Sequence, residues 1–223
     1  MYAIDLAQIS LDEFLEIMLS IELLPGRKFL LNNLSGTLVR FKQKGIFHLA
    51  ALQQLLRDKN HYPALAKSLE VSQDFIVVLN REVNSYISKP VPLATLGVFS
   101  LAILERLEQN GIKSTKDLYE NALSIKNRQD LMVRYEISEQ QITTALELSD
   151  LLRINGVGPV FAKILLEIGI TNTSAFLTTD TSELLEKYTA VNDGSRKYKS
   201  KLGTKDIEYC KRFCTKLDAE IEW

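Results

Sequence analysis

The sequence is poor in the features that mark secreted, membrane-bound or catalytic proteins. Its 223 residues include two cysteines, Cys210 and Cys214, too few for a disulfide framework and suited to a reducing compartment. No stretch approaches the ~20 apolar residues that a membrane-crossing helix needs. The opening Met1-Tyr2-Ala3-Ile4-Asp5 lacks the positive region and apolar run of a signal peptide. Neither charge sign prevails: 27 Lys and Arg against 28 Asp and Glu leave a net charge of −1, so any case for nucleic acid rests on local patches. Phosphate-binding P-loops, dinucleotide fingerprints, metalloprotease helices and nucleophile elbows are missing. Together these absences imply a cytoplasmic chain with no membrane partner and no cofactor.

Periodicity is what the sequence has. Gly45-Ile46, Gly111-Ile112 and Gly169-Ile170 each follow an amphipathic run, with spacings of 66 and 58 residues. An apolar residue (Phe41, Leu107, Leu165) stands at the same offset before each pair. This predicts a helix ending in a glycine cap, with the isoleucine folding back onto the residue five before it. Further on, Val71-Ser72 matches Ile137-Ser138, and Ile76 matches Ile142, again 66 residues apart. Ile207 follows Ile142 by 65. Ser138 with Gln141 forms a capping-box pattern, predicting a helix to about Leu152, and Ser10/Glu13, Ser114/Asp117 and Asp180/Glu183 are similar starts. Phe75 to Leu79 has strand-like β-branching, but its counterpart Gln141 to Leu146 is helix-like, and repeats share structure. Helix is the reading there.

These spacings predict an all-α chain of tandem units packed side by side, each a hairpin, a helix, a Gly-Ile turn, two short helices and a longer closing helix. An acidic amphipathic helix occupies 1–25, with Asp5, Asp12, Glu13, Glu16 and Glu22 and no basic residue. A first degenerate unit spans 26–90, a second 91–150, and a third, with the intact hairpin and a polar insertion from Val191 to Lys201, spans 151–223.

The most informative segment is Leu151-Leu152-Arg153-Ile154-Asn155-Gly156-Val157-Gly158-Pro159-Val160-Phe161-Ala162-Lys163-Ile164-Leu165. Gly156 and Gly158 are read as taking backbone angles closed to other residues, so that two helices join through a very short turn. Val157 plugs the junction, Pro159 suits the first helical position, and Ala162 allows close helix approach. The second helix then starts with free N–H groups, a natural anion site.

This segment resembles the helix-hairpin-helix superfamily, whose loops hold DNA or RNA phosphates without reading sequence. From about Pro92 to Leu217 the chain also resembles a tandem-hairpin family of unknown function, domain of unknown function 4332. The matching features are Pro92-Leu93, Gly111-Ile112, Ile137-Ser138, the Gly156-Val157-Gly158 hairpin, Val191-Asn192 and the basic stretch after it. The resemblance implies fold and, by analogy alone, nucleic-acid contact. The sister loops depart from the pattern. In Gly97-Val98-Phe99-Ser100-Leu101, Val98 and Ser100 stand where the glycines would be. In Leu31-Asn32-Asn33-Leu34-Ser35 the asparagines can accept left-handed geometry.

Two stretches are basic. Between Pro25 and His48 lie Arg27, Lys28, Arg40, Lys42 and Lys44, with no acidic residue. Between Asn192 and Lys216 there are eight basic residues against three acidic ones. Of these, Arg196, Lys197, Lys199 and Lys201 form a loop with Tyr198 suited to phosphate contact and base stacking. The same runs are equally explained as solubilising faces. Lys163, one turn into the second hairpin helix, is the best supporting phosphate contact. Val160 and Phe161 stand where basic residues are usual, and they suit a protein contact equally well.

No catalytic or metal residue is expected. Some DNA glycosylases carry a helix-hairpin-helix followed by a catalytic aspartate, and Asp180 lies at a comparable distance. Its Thr-Thr-Asp-Thr-Ser-Glu context instead reads as a helix N-cap. Cys210 and Cys214 share a helix face, but the only histidines, His48 and His61, lie in another unit, so buried structural thiols are expected. Asn192-Asp193-Gly194 reads as a turn rather than a calcium loop. The leading expectation is a non-enzymatic DNA- or RNA-phosphate binder working through Gly156, Val157, Gly158, Val160, Lys163 and the 196–201 loop. The alternative is a protein-interaction scaffold in which the hairpins are purely structural.

Overall fold

The computed structural model describes residues 1–21, 23, 25–195 and 202–223. It is all-α, with no strand among the described residues. The chain forms two compact units. Residues 1–4 belong to the larger one, 5–87 build the smaller one, and 88–223 complete the larger.

In the smaller unit, α1 (Leu11–Ser20) follows a 3-10 turn at Leu6–Gln8 and starts where Ser10 Oγ accepts the Glu13 N–H. Of residues 1–25, expected to form one acidic helix, α1 takes those ten. Its buried side chains, Leu11, Phe14, Ile17 and Met18, fall at helical spacing on one face. The short α2 (Pro25–Lys28) and a 3-10 turn at Phe29–Asn32 lead into α3 (Leu34–Gln43), and α4 (Leu49–Leu55), α5 (Tyr62–Leu69) and α6 (Gln73–Ser85) follow. Phe75, Ile76 and Leu79 are buried on α6, so the β-branched run is helical.

The larger unit contains α7 (Leu101–Gln109), α8 (Thr115–Asn121), α9 (Ile125–Tyr135), α10 (Glu139–Leu151), α11 (Pro159–Glu167), α12 (Thr173–Thr178), α13 (Thr181–Ser195) and α14 (Thr204–Cys214). Helix α10 is its hub, packing on α8, α9, α11 and α12. Its second half is buried apart from the half-buried Glu147, and Leu148, Ser149, Asp150 and Leu151 are all inside, as expected of a helix enclosed on most sides.

The three Gly-Ile caps form as the spacing predicts. Gly45, Gly111 and Gly169 have φ of 81°, 83° and 84°. The N–H groups of Ile46, Ile112 and Ile170 donate to Phe41, Leu107 and Leu165 at 3.1, 3.0 and 2.8 Å, closing the last turn of each helix. Much else recurs 66 residues on. Helices α4 and α8, and α6 and α10, have coincident bounds, and His48 and Ser114 cap α4 and α8. Glu70 and Glu136, the non-glycine residues with positive φ (54° and 55°) among the described residues, bind Arg40 and Arg106 respectively.

Two local readings are corrected. Asn192-Asp193-Gly194 lies within α13: turn propensity is a weak prior that tertiary context overrides, and α13 packs on α11 and α14. Asn33 is not left-handed, with φ −126°; the 3-10 turn runs straight into α3, so no reversal needs that geometry.

Candidate functional site

The turn between α10 and α11 is built from local backbone bonds. Ile154 N–H donates to Leu151 O at 3.1 Å, and Val157 N–H to Ile154 O at 3.0 Å. Gly156 has φ 93°, the glycine-favouring value of a type II turn's third residue. A Cβ there would also stand 2.7 Å from Cys210 Sγ, so the turn lies directly on α14. Gly158 is different. Its φ of −95° and ψ of 172° are extended, open to any residue, and a Cβ on it would meet nothing within 4 Å. The expectation that both glycines take restricted angles therefore holds for Gly156 alone.

Val157 is buried beneath the turn, Pro159 opens α11, and Ala162 is fully buried. Gly158 occupies the N-cap position without a side-chain hydrogen bond. In the loop 58 residues earlier, Ser100 occupies that position and caps α7 through the Ile103 N–H at 3.4 Å. Phe99 takes the place of the Val157 plug and is also buried, while Gly97 supplies a left-handed residue at φ 70°.

The other predicted site residues within the described part of the chain lie on α11. Val160 is 42% exposed at the start of α11. Phe161 is buried, edge-on to Phe176 and Tyr188. Lys163 is exposed, yet its Nζ donates to Thr95 O at 3.1 Å. Arg196, Lys197, Lys199 and Lys201 lie outside the described residues. The other basic stretch is largely paired. Arg27 meets the buried Glu82 carboxylate at 2.5 Å, Arg40 binds Glu70 and Leu69 O, and Lys42 binds Asp12.

Sequence reasoning missed the buried ion pair just before the turn. Arg153 is completely buried, with Nη1 2.6 Å from Asp150 Oδ1. Asp150 Oδ2 accepts the Thr173 N–H at 2.7 Å, tying α10 to the start of α12. The remaining donors of Arg153 reach the carbonyls of Met1, Tyr2 and Asp218, and its guanidinium lies 4.3 Å from the Tyr119 ring centroid. The signal was present: two opposite charges three residues apart within Leu148-Ser149-Asp150-Leu151-Leu152-Arg153-Ile154, a segment too apolar for an exposed helix face.

Burial pushes the Cys210 and Cys214 thiols up to about 12, which keeps them protonated and poorly nucleophilic. Cys214 Sγ donates to Thr173 O at 3.2 Å. Asp180 caps α13 by accepting the Ser182 and Glu183 N–H groups at 2.8 and 3.1 Å. Those bonds, the one from Glu183 first, hold its carboxyl below the usual range. Among the described residues, no group of three or more His, Cys, Asp or Glu is placed to hold a metal, and no helix is long and apolar enough to cross a membrane.

Comparison with curated proteins and with solved structures gives no match. A family model does match: the one described as Domain of unknown function (DUF4332) covers residues 100–216, from the cap of α7 past the end of α14 and more than half of the chain. The chain belongs to that family.

Proposed function

We propose that the protein is a non-enzymatic, sequence-independent nucleic-acid binder, built from tandem helix-hairpin-helix units, that holds a phosphate at the start of α11. The observation that carries this reading is the uncapped N-terminus at Gly158. A helix start presents N–H groups and the positive end of the helix dipole to an anion. Here no side chain occupies that place, the space above Gly158 is open, and Lys163 is one turn away on an exposed side chain. Ser100 fills the same place in the sister loop before α7, so that turn does not offer its N-terminus to a phosphate. The two reduced cysteines suit a cytoplasmic setting.

A site touching about two phosphates gives weak binding whose log–log salt slope is about −2. Labelled duplex DNA and single-stranded RNA, titrated at two salt concentrations, test this. Gly158→Asp supplies a carboxylate cap at a backbone position that accepts any residue. The expected result is at least a tenfold loss of binding with the fold intact. Absence of binding to the wild-type chain at low salt, or unchanged binding by the variant, overturns the reading.

The scaffold reading is favoured by a different observation. Arg27, Arg40 and Lys42 are engaged by carboxylates, while Leu101 and Val160 expose 72% and 42% of their surface at the starts of α7 and α11. It predicts no nucleic-acid binding in that titration at either salt concentration.

A further inference from the structure

Residues Met1 to Ile4 form a strap on the larger unit, although the chain continues from Asp5 into the smaller one. Tyr2 and Ile4 are 2% and 5% exposed. The Tyr2 hydroxyl lies 2.7 Å from Thr115 Oγ1, which also accepts the Val91 N–H at 3.0 Å. The Tyr2 ring meets Tyr119 edge-on at 5.6 Å. Two successive strap carbonyls, those of Met1 and Tyr2, accept from Arg153 at 3.2 and 3.0 Å. The other acceptors of this buried guanidinium are Asp150 and Asp218 O.

A buried cation needs its donors satisfied. Without the strap, Arg153 Nε would lose its acceptor, Nη2 one of two, and the Tyr119 wall would face a vacancy of tyrosine size. The slot therefore demands a specific ligand: a peptide with two consecutive carbonyls, the second on a residue whose aromatic ring bears a hydroxyl. Its present ligand is continued along the chain, from Asp5, by a separately compact unit. An element attached in that way is what copies of a protein exchange at little cost, because every contact is preserved in the exchanged form.

We propose that the Arg153–Thr115–Tyr119 slot is a peptide acceptor site and that a second copy of this chain fills it with its own Met1-Tyr2-Ala3-Ile4 segment. Tethering gives the chain's own strap an effective concentration of order millimolar, so the monomer prevails in dilute solution and exchange appears as protein concentration rises.

The test uses the full chain and a synthetic peptide, Met-Tyr-Ala-Ile-Asp-Leu-Ala-Gln, labelled at its C-terminus. The variant Tyr2→Ala should bind this peptide saturably and at least tenfold more tightly than the wild-type chain, whose slot is filled. The peptide with Tyr replaced by Ala should bind neither. Wild-type chain concentrated and then analysed by size exclusion with light scattering should yield a dimer that Tyr2→Ala does not form. If Tyr2→Ala is unfolded alone, the peptide should restore its cooperative thermal transition. Failure of the peptide to bind or restore this variant overturns the slot. Peptide binding without a Tyr2-dependent dimer overturns the second copy as its occupant.

Discussion

Gly156 and Gly158 are two residues apart, identical in type, and held by different physics. Gly156 is fixed twice, by a left-handed φ and by the Cys210 sulfur beneath it. Gly158 is fixed by neither. Gly156→Ala should therefore cost about 2–4 kcal/mol, combining left-handed strain with overpacking, whereas Gly158→Ala should change stability by less than about 1 kcal/mol. Urea midpoints measure both. Adding Cys210→Ala to Gly156→Ala should recover more stability than the sum of the single effects allows, since the clash partner is then gone. Additive losses would mean that the sulfur is not the obstacle. The sequence marked this turn correctly because Gly-x-Gly-Pro is local chemistry. It did not distinguish the two glycines, because the sulfur that does so lies more than fifty positions along the chain. The carbonyl partners of Lys163 and Arg153 were opaque for the same reason: Thr95 O, Met1 O and Tyr2 O are distant in sequence.

At the scale of helices, starts and stops were legible where the determinant sits within a turn of the boundary. Ser10, Ser114, Ser138 and Asp180 each accept the backbone N–H groups that their patterns predicted, and all three Gly-Ile caps close. The end of α13 was not legible, since packing on α11 and α14 carries it through a turn-like tripeptide. A less visible stop is shared by α5 and α9, which end on left-handed glutamates rather than glycines. Such a residue costs of order 1–2 kcal/mol, and the exposed pair Arg106–Glu136 returns at most about 1 kcal/mol. Glu136→Gly should raise stability by about 0.5–1 kcal/mol, and Glu136→Val should lower it, because a β-branched side chain tolerates positive φ least. Thermal unfolding of the two variants checks the order. A glycine variant less stable than wild type would show that the arginine contact outweighs the backbone strain.

For the whole molecule, two compact units imply that stability is not a single quantity. Glu82 gives a way to address one unit at a time. Burial raises its carboxyl above the ordinary value, and the Arg27 charge and hydrogen bond oppose that rise. A raised folded-state value means that the native state binds the proton more tightly than the unfolded chain does. The smaller unit therefore loses stability as pH rises from the ordinary carboxylate value through the raised one, and regains it on acidification. Arg27→Ala removes the opposing charge and leaves a buried carboxylate unpaired, at a cost of about 3 kcal/mol at pH 7. That deficit should shrink towards zero near pH 4.5, the group's ordinary value, where protonation removes the buried charge. Leu165→Ala, a cavity in the fully buried core of the larger unit, should cost about 2–5 kcal/mol, with no comparable recovery on acidification. Calorimetry of both variants at pH 7 and pH 4.5 should resolve two transitions. Arg27→Ala should lower one at pH 7 and release it at pH 4.5, and Leu165→Ala should lower the other at both. A single transition moved by both variants would mean that the two units unfold as one cooperative body.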